Sequence, residues 1–137
     1  MSENEDKAWD LFRNIVSLAQ GAEEFAAEAE RAACCVAMPG IKGPRGSEHY
    51  DNMYKVASAC AEMAMHYAIA SGAYLTHLRA LATKTGDKHA AEHLRNAKCH
   101  IEKAMKAERC AKEAIEAMEN LLAGRGTKHP VCQMAGL

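Results

Sequence analysis

Aromatic side chains are scarce in this sequence, at 5% of residues. Proline is scarcer. Pro39 and Pro44 share one short stretch, and Pro130 sits near the end. With alanine as the commonest residue and so few helix breakers, the composition is that of an all-α protein. Charge of one sign is also missing. The formal net charge is −1, which gives no global field to draw the chain to nucleic acid or to a membrane surface. The opening stretch MSENEDKAWD is acidic and holds no apolar run, so a secretory leader is not expected. Without one, the 6 cysteines read as free thiols rather than a disulfide framework, and the cytoplasm is the expected location. A chain of 137 residues is long enough for one domain with a real core.

What is present is helical periodicity. The stretch VASACAEMAMHYAIASGAYL, residues 56–75, is apolar on nearly every side. Met53, Ala57, Cys60, Ala64, Tyr67, Ser71, Tyr74, Leu78 and Leu81 recur at alternating steps of four and three, which makes one core seam. Ala61, Met65, Ala68, Gly72, Leu75 and Ala82 form a flanking row. Val56, Ala59, Met63, Ile69, Ala70 and Ala73 fill the back. A helix apolar all round is a buried helix. The segment has the length of a membrane span, but alanine dominates it and Glu62 and His66 interrupt it, so it reads as a core helix of a soluble protein.

Two further helices flank it. Ser2 and Glu5 fit a capping box, which starts the first near residue 3. Its seam is Ala8, Leu11, Ile15, Leu18, Ala22, Phe25, Ala29, Ala32 and Val36, and Met38-Pro39-Gly40 ends it. Ser47 is a suitable N-cap for the second helix, which should stop near Thr83-Lys84-Thr85-Gly86. Asp87 caps the third. Its seam is Ala90, Leu94, Ala97, Ile101, Ala104, Glu108, Ala111, Ile115, Met118 and Leu122, with Gly124 just past its end. The expected spans are 3–37, 47–84 and 87–123. Residues 1–123 form the domain, and 124–137 read as a flexible tail. Short connections make sequential helices antiparallel, giving an up-down-up bundle of three helices, each roughly 50 Å long at 1.5 Å per residue. The phase of the seam persists through Ser71-Gly72, so one long helix with scope for a kink is expected there, and not two helices.

Three helices cannot surround the middle one. A second row on the third helix, Cys110, Ala114, Ala117 and Leu121, lies nearly opposite its seam. The surplus apolar surface predicts self-association, with Val56, Met63, Ile69, Ala73, Cys110, Ala114 and Leu121 at the interface.

Chemistry-bearing residues gather in three places. Glu62 and His66 are one turn apart, and hairpin folding puts Glu108 at their height, with Glu23 and Glu24 nearby. Carboxylates and histidine at mid-bundle are how helical bundles hold transition metals, although the Glu-x-x-His spacing of such sites is absent. One end of the bundle collects Cys34, Cys35, Met38, His49, His129, Cys132 and Met134, which are soft ligands for Cu(I) or Zn but lack a C-x-x-C spacing. The same end holds Lys42, Arg45, Arg125 and Lys128 beside a helix N-terminus, which suits a small anionic ligand. KGPRGS lacks the Lys-Ser/Thr ending of a phosphate loop. On the third helix, His89, His93 and His100 fall within about 40° of each other. Cys99 and Cys110 share its outer side with Lys103 and Lys106, and neighbouring cations favour thiolate.

Arg95-Asn96-Ala97-Lys98-Cys99-His100 matches the Arg-x(4–6)-His pattern of HEPN-type ribonucleases, which the chain also resembles in size and helical content. The resemblance spans residues 95–100. It implies RNA cleavage with Arg95 and His100 as the catalytic pair, although the two lie about 140° apart on a continuous helix.

The sequence therefore predicts a self-associating helical bundle that works by binding, either to itself or to a protein or small anionic partner. No Ser/His/Asp triad, phosphate loop or Gly-rich nucleotide turn is present. A metal-binding bundle built on Glu62, His66 and Glu108 and a helical ribonuclease are the alternatives.

Overall fold

The computed structural model describes residues 3–37 and 48–122. Three helices account for almost all of them: α1 (Glu3–Ala37), α2 (Glu48–Thr85) and α3 (Lys88–Leu122). These bounds lie within a residue or so of the expected ones. Each helix packs against both of the others. Among the described residues there is no strand, and no helix is long and apolar enough to cross a membrane. The expected caps at Ser2 and Ser47, the Met38-Pro39-Gly40 stop, Gly124 and the 124–137 tail lie outside the described residues.

Local chemistry fixes the helix ends. Acidic Glu3, Glu5 and Asp6 occupy the first turn of α1, and Glu48 and Asp51 that of α2, where the positive end of the helix dipole favours them. The α2–α3 turn is closed from both sides. Gly86 takes a φ of +64°, the left-handed conformation that glycine adopts without steric cost. Its N–H donates to the Ala82 carbonyl at 3.0 Å. Asp87 then caps α3, its Oδ1 accepting the His89 N–H at 2.8 Å. Thr85 Oγ1 links the two ends, donating to the Leu81 carbonyl at 2.8 Å and accepting the Asp87 N–H at 3.2 Å.

So short a turn makes α2 and α3 antiparallel. At the far end Tyr50, near the start of α2, donates from its hydroxyl to the Met118 carbonyl, near the end of α3, at 2.6 Å. Tyr54 donates to Glu119 Oε1 at 2.9 Å, and the two tyrosine rings stack 6.2 Å apart. This clasp and the Gly86 turn hold the hairpin at both ends.

The core divides along the bundle. Near the turn, Ile15 and Leu78 are buried with Ala8, Ala90 and Ala97, packed round by Leu11, Phe12, Tyr74, Leu81 and Leu94. Toward the other end the buried set is almost wholly alanine: Ala19, Ala22, Ala26, Ala29, Ala57, Ala64, Ala104 and Ala111 among others. Alanine brings little apolar area of its own. It lets the helix backbones approach closely, so that dispersion between backbones replaces the interleaving of long side chains. Rings fill the gaps at the edge of this seam. Phe25 stacks on Tyr67 at 5.5 Å, and the bare face of Gly21 lies against the Tyr67 ring. Ser71 is fully buried. Its hydroxyl donates back to the Ala68 carbonyl at 2.7 Å, so α2 runs unbroken through Ser71-Gly72 with no polar atom left unpaired.

Among the described residues the expected seam positions are buried or half-buried, Glu108 being half-buried and paired with Lys112. One row differs. Ala114 and Ala117, read as facing outward, are buried at 0% and 3% exposure. A helix wedged between two neighbours buries an arc wider than a single seam, and α3 does so through Ala107, Ala111, Ala114 and Met118. Ala114 is therefore a core residue and not an interface residue.

Candidate functional site

The single chain leaves a long stripe of mixed apolar and polar side chains exposed on the outside of α2. Ile69 is 62% exposed, Val56 43% and Met63 39%. Ala59 and Ala73 are also exposed. In helical projection the outermost positions fall into two seven-residue series, Lys55, Glu62, Ile69, Thr76 and Ala59, His66, Ala73, Ala80, and all are exposed. Steps of four and three between the series make a narrow stripe of the coiled-coil kind. Val56 and Met63 flank it on one side. Near its middle Glu62 and His66 approach to 3.6 Å (Oε1 to Nε2), both side chains more than half exposed.

The expected interface residues thus divide. Val56, Met63, Ile69 and Ala73 share the outside of α2. Cys110 is half-buried in a groove of 320 Å³ between α1 and α3, lined by Glu23, Glu30, Lys103 and Lys106. Ala114 belongs to the core, and the Leu121 side chain lies outside the described residues.

The Glu62, His66, Glu108 trio is only partly gathered. Glu62 and His66 pair with each other on α2, while Glu108 pairs with Lys112 on α3 at 3.0 Å. Among the described residues no three histidine, cysteine or acidic side chains converge as a metal centre requires. At the open end of the bundle Cys35 Sγ meets His49 Nε2 at 3.8 Å, so that pair does come together, and Cys34 is buried. Lys42, Arg45, Arg125 and Lys128, together with Met38, His129, Cys132 and Met134, lie outside the described residues.

The structure assembles one cluster that sequence reading only half saw. His93 stacks on Phe12 at 5.2 Å and lies 5.4 Å from Trp9. His100 meets the edge of Phe12 at 5.9 Å. His89 Nε2 reaches Glu5 Oε1 at 3.9 Å. The common face of these histidines on α3 was legible from spacing. Their partners on α1 follow only from the parallel packing of α1 and α3. His100 is thereby seated against Phe12 while Arg95 stands exposed.

Electrostatics around Cys110 differ from the sequence expectation. Desolvation raises the Cys110 thiol above its ordinary range, with Glu30 and Glu113 adding to the rise and Lys106 and Arg109 only partly opposing it. Burial likewise raises Cys60, with Glu28 adding to the rise and Arg31 opposing it. Cys110 is therefore held as a thiol and is not activated by its lysines. Comparison with known families, curated proteins and solved structures finds no match to this chain.

Proposed function

We propose that the protein is a self-associating helical bundle that acts by binding, with the outside of α2 as its association surface and a second copy of the chain as the first occupant. The observation that carries this reading is Ile69, an isoleucine 62% exposed on a helix whose opposite side is buried at Ala57, Ala64, Ser71 and Leu78. Exposed alanine is common in helices because it favours the helix itself. Isoleucine has no such excuse, and it shares its strip with exposed Val56 and Met63. Burying a fully exposed side chain of this kind is worth on the order of 1.5–3 kcal/mol, and Ile69, Val56 and Met63, already part-covered, each offer a fraction of that. The net charge of −1 leaves little repulsion between copies.

The test uses Ile69→Glu. In an isolated chain the change is on the surface and shifts stability by only about 0.5 kcal/mol. In an assembly it puts an unpaired carboxylate into an apolar contact. Because association is linked to folding, the parent should melt at higher temperature as its concentration rises, and Ile69→Glu should lose that dependence. A parent whose melting temperature is independent of concentration would remove the proposal.

A further inference from the structure

Building on that reading, we infer that the two copies pair through α2 in antiparallel orientation, in the one register that sets Glu62 of each chain against His66 of the other. In an antiparallel pair of helices meeting along such a stripe, members of one seven-residue series face members of the other. Here the first series is Lys55, Glu62, Ile69 and Thr76, and the second is Ala59, His66, Ala73 and Ala80. All of them are exposed in the single chain, Glu62 and His66 as an intrachain pair, so all are accessible to a partner.

The alternatives are few and can be compared by their contacts. A parallel pair sets like against like, so Glu62 meets Glu62 and His66 meets His66. An antiparallel pair slipped by seven residues one way sets His66 against Lys55 and Glu62 against Ala59. Slipped the other way, it sets Glu62 against Ala73 and His66 against Ile69. Each sets the Glu62–His66 pair of one chain against a like-charged or apolar group of the other at the centre of the contact, where desolvation makes that costly.

The remaining register gives complementary central layers. Glu62 faces His66 twice, once on each side of the two-fold axis. Ile69 projects onto Ala59, a large side chain against a small one. Lys55 lies across Ala73, where its methylene stem covers the alanine and its ammonium reaches water. Val56 and Met63 close the flank. A polar layer at the centre of a helix–helix contact is a known device for fixing register and orientation. Glu62 and His66, already 3.6 Å apart within one chain, supply that layer here. Small alanines on both helices permit the same close approach that the interior uses.

The experiment is a crosslinking competition. Chains carrying Ala59→Cys and chains carrying Ile69→Cys are mixed in equal amounts and mildly oxidised, and the linked peptides are identified by mass. Sedimentation of the unmodified chain gives its assembly state. The expected result is a dimer in which the 59–69 link exceeds the 59–59 and 69–69 links about tenfold. Adding Glu62→Ala with His66→Ala to both chains should erase most of that preference. A dimer in which 59–59 or 69–69 predominates, or in which no 59–69 link forms, overturns the antiparallel register and leaves self-association standing. An unchanged preference after removal of both polar residues overturns their role in setting the register. An unmodified chain that sediments as monomer overturns both the register and the self-association it rests on.

Discussion

Tyr50 shows how much one side chain can hold. It is 5% exposed and donates to the Met118 carbonyl, tying the start of α2 to the end of α3. Burial raises its phenol above the ordinary value of 10.0, and the nearby Tyr54, Glu119 and Asp51 add to the rise. Tyr54, hydrogen-bonded to Glu119, is raised as well. A phenol raised in the folded state stabilises that state fully below the unfolded value. The contribution is lost as pH climbs through the higher folded value, because the phenolate can no longer donate. Stability should therefore fall on the alkaline side of about pH 10. Tyr50→Phe should cost about 0.5–1.5 kcal/mol at neutral pH and flatten the alkaline decline, leaving the part due to Tyr54. Urea denaturation across pH 8 to 11 measures both, and a parent and variant with parallel alkaline slopes would contradict the clasp. The Cys110 thiol carries the opposite lesson for sequence reading. Its lysines were visible in the sequence, but its burial and the approach of Glu30 from α1 were not.

At the level of the helices, the ends were easy to read and the facing rows were harder. Asp87 and Gly86 announce a stop and a start through chemistry that is local to the chain, and the structure uses both as expected. The seams were also legible, since Leu, Ile, Phe and Tyr mark them. The extra rows were not. Ala19, Ala26, Ala33 and Ala114 are buried, while Ala59, Ala73 and Ala80 are exposed, and nothing in the residue type separates the two groups. Alanine carries almost no size or polarity signal, so only packing decides its face. That packing gives a test. Ala64 is fully buried in the alanine seam, so Ala64→Leu has no room and should cost about 1–3 kcal/mol by overpacking. A leucine in place of exposed Lys98 on α3 should stay within about 0.5 kcal/mol. Thermal melts of the two variants check it, and equal melting temperatures would contradict close alanine packing.

At the scale of the whole molecule, the architecture was written in the sequence and the site only in outline. The outside of α2 was predicted to exceed what one chain can cover, and Val56, Met63 and Ile69 do stand exposed on it. The Trp9, Phe12 and His93 cluster was hidden, because its members come from helices far apart in the chain and meet only when α1 and α3 pack. A mid-bundle metal trio was readable as heights along a hairpin, but heights do not fix azimuth, and Glu108 turns to Lys112 on its own helix. The central claim is that the strip on α2 is an association surface. Sedimentation equilibrium of the unmodified chain over the micromolar range tests it most directly. The account predicts a mass rising with concentration to twice 14.9 kDa. A constant mass of 14.9 kDa up to tens of micromolar would contradict it.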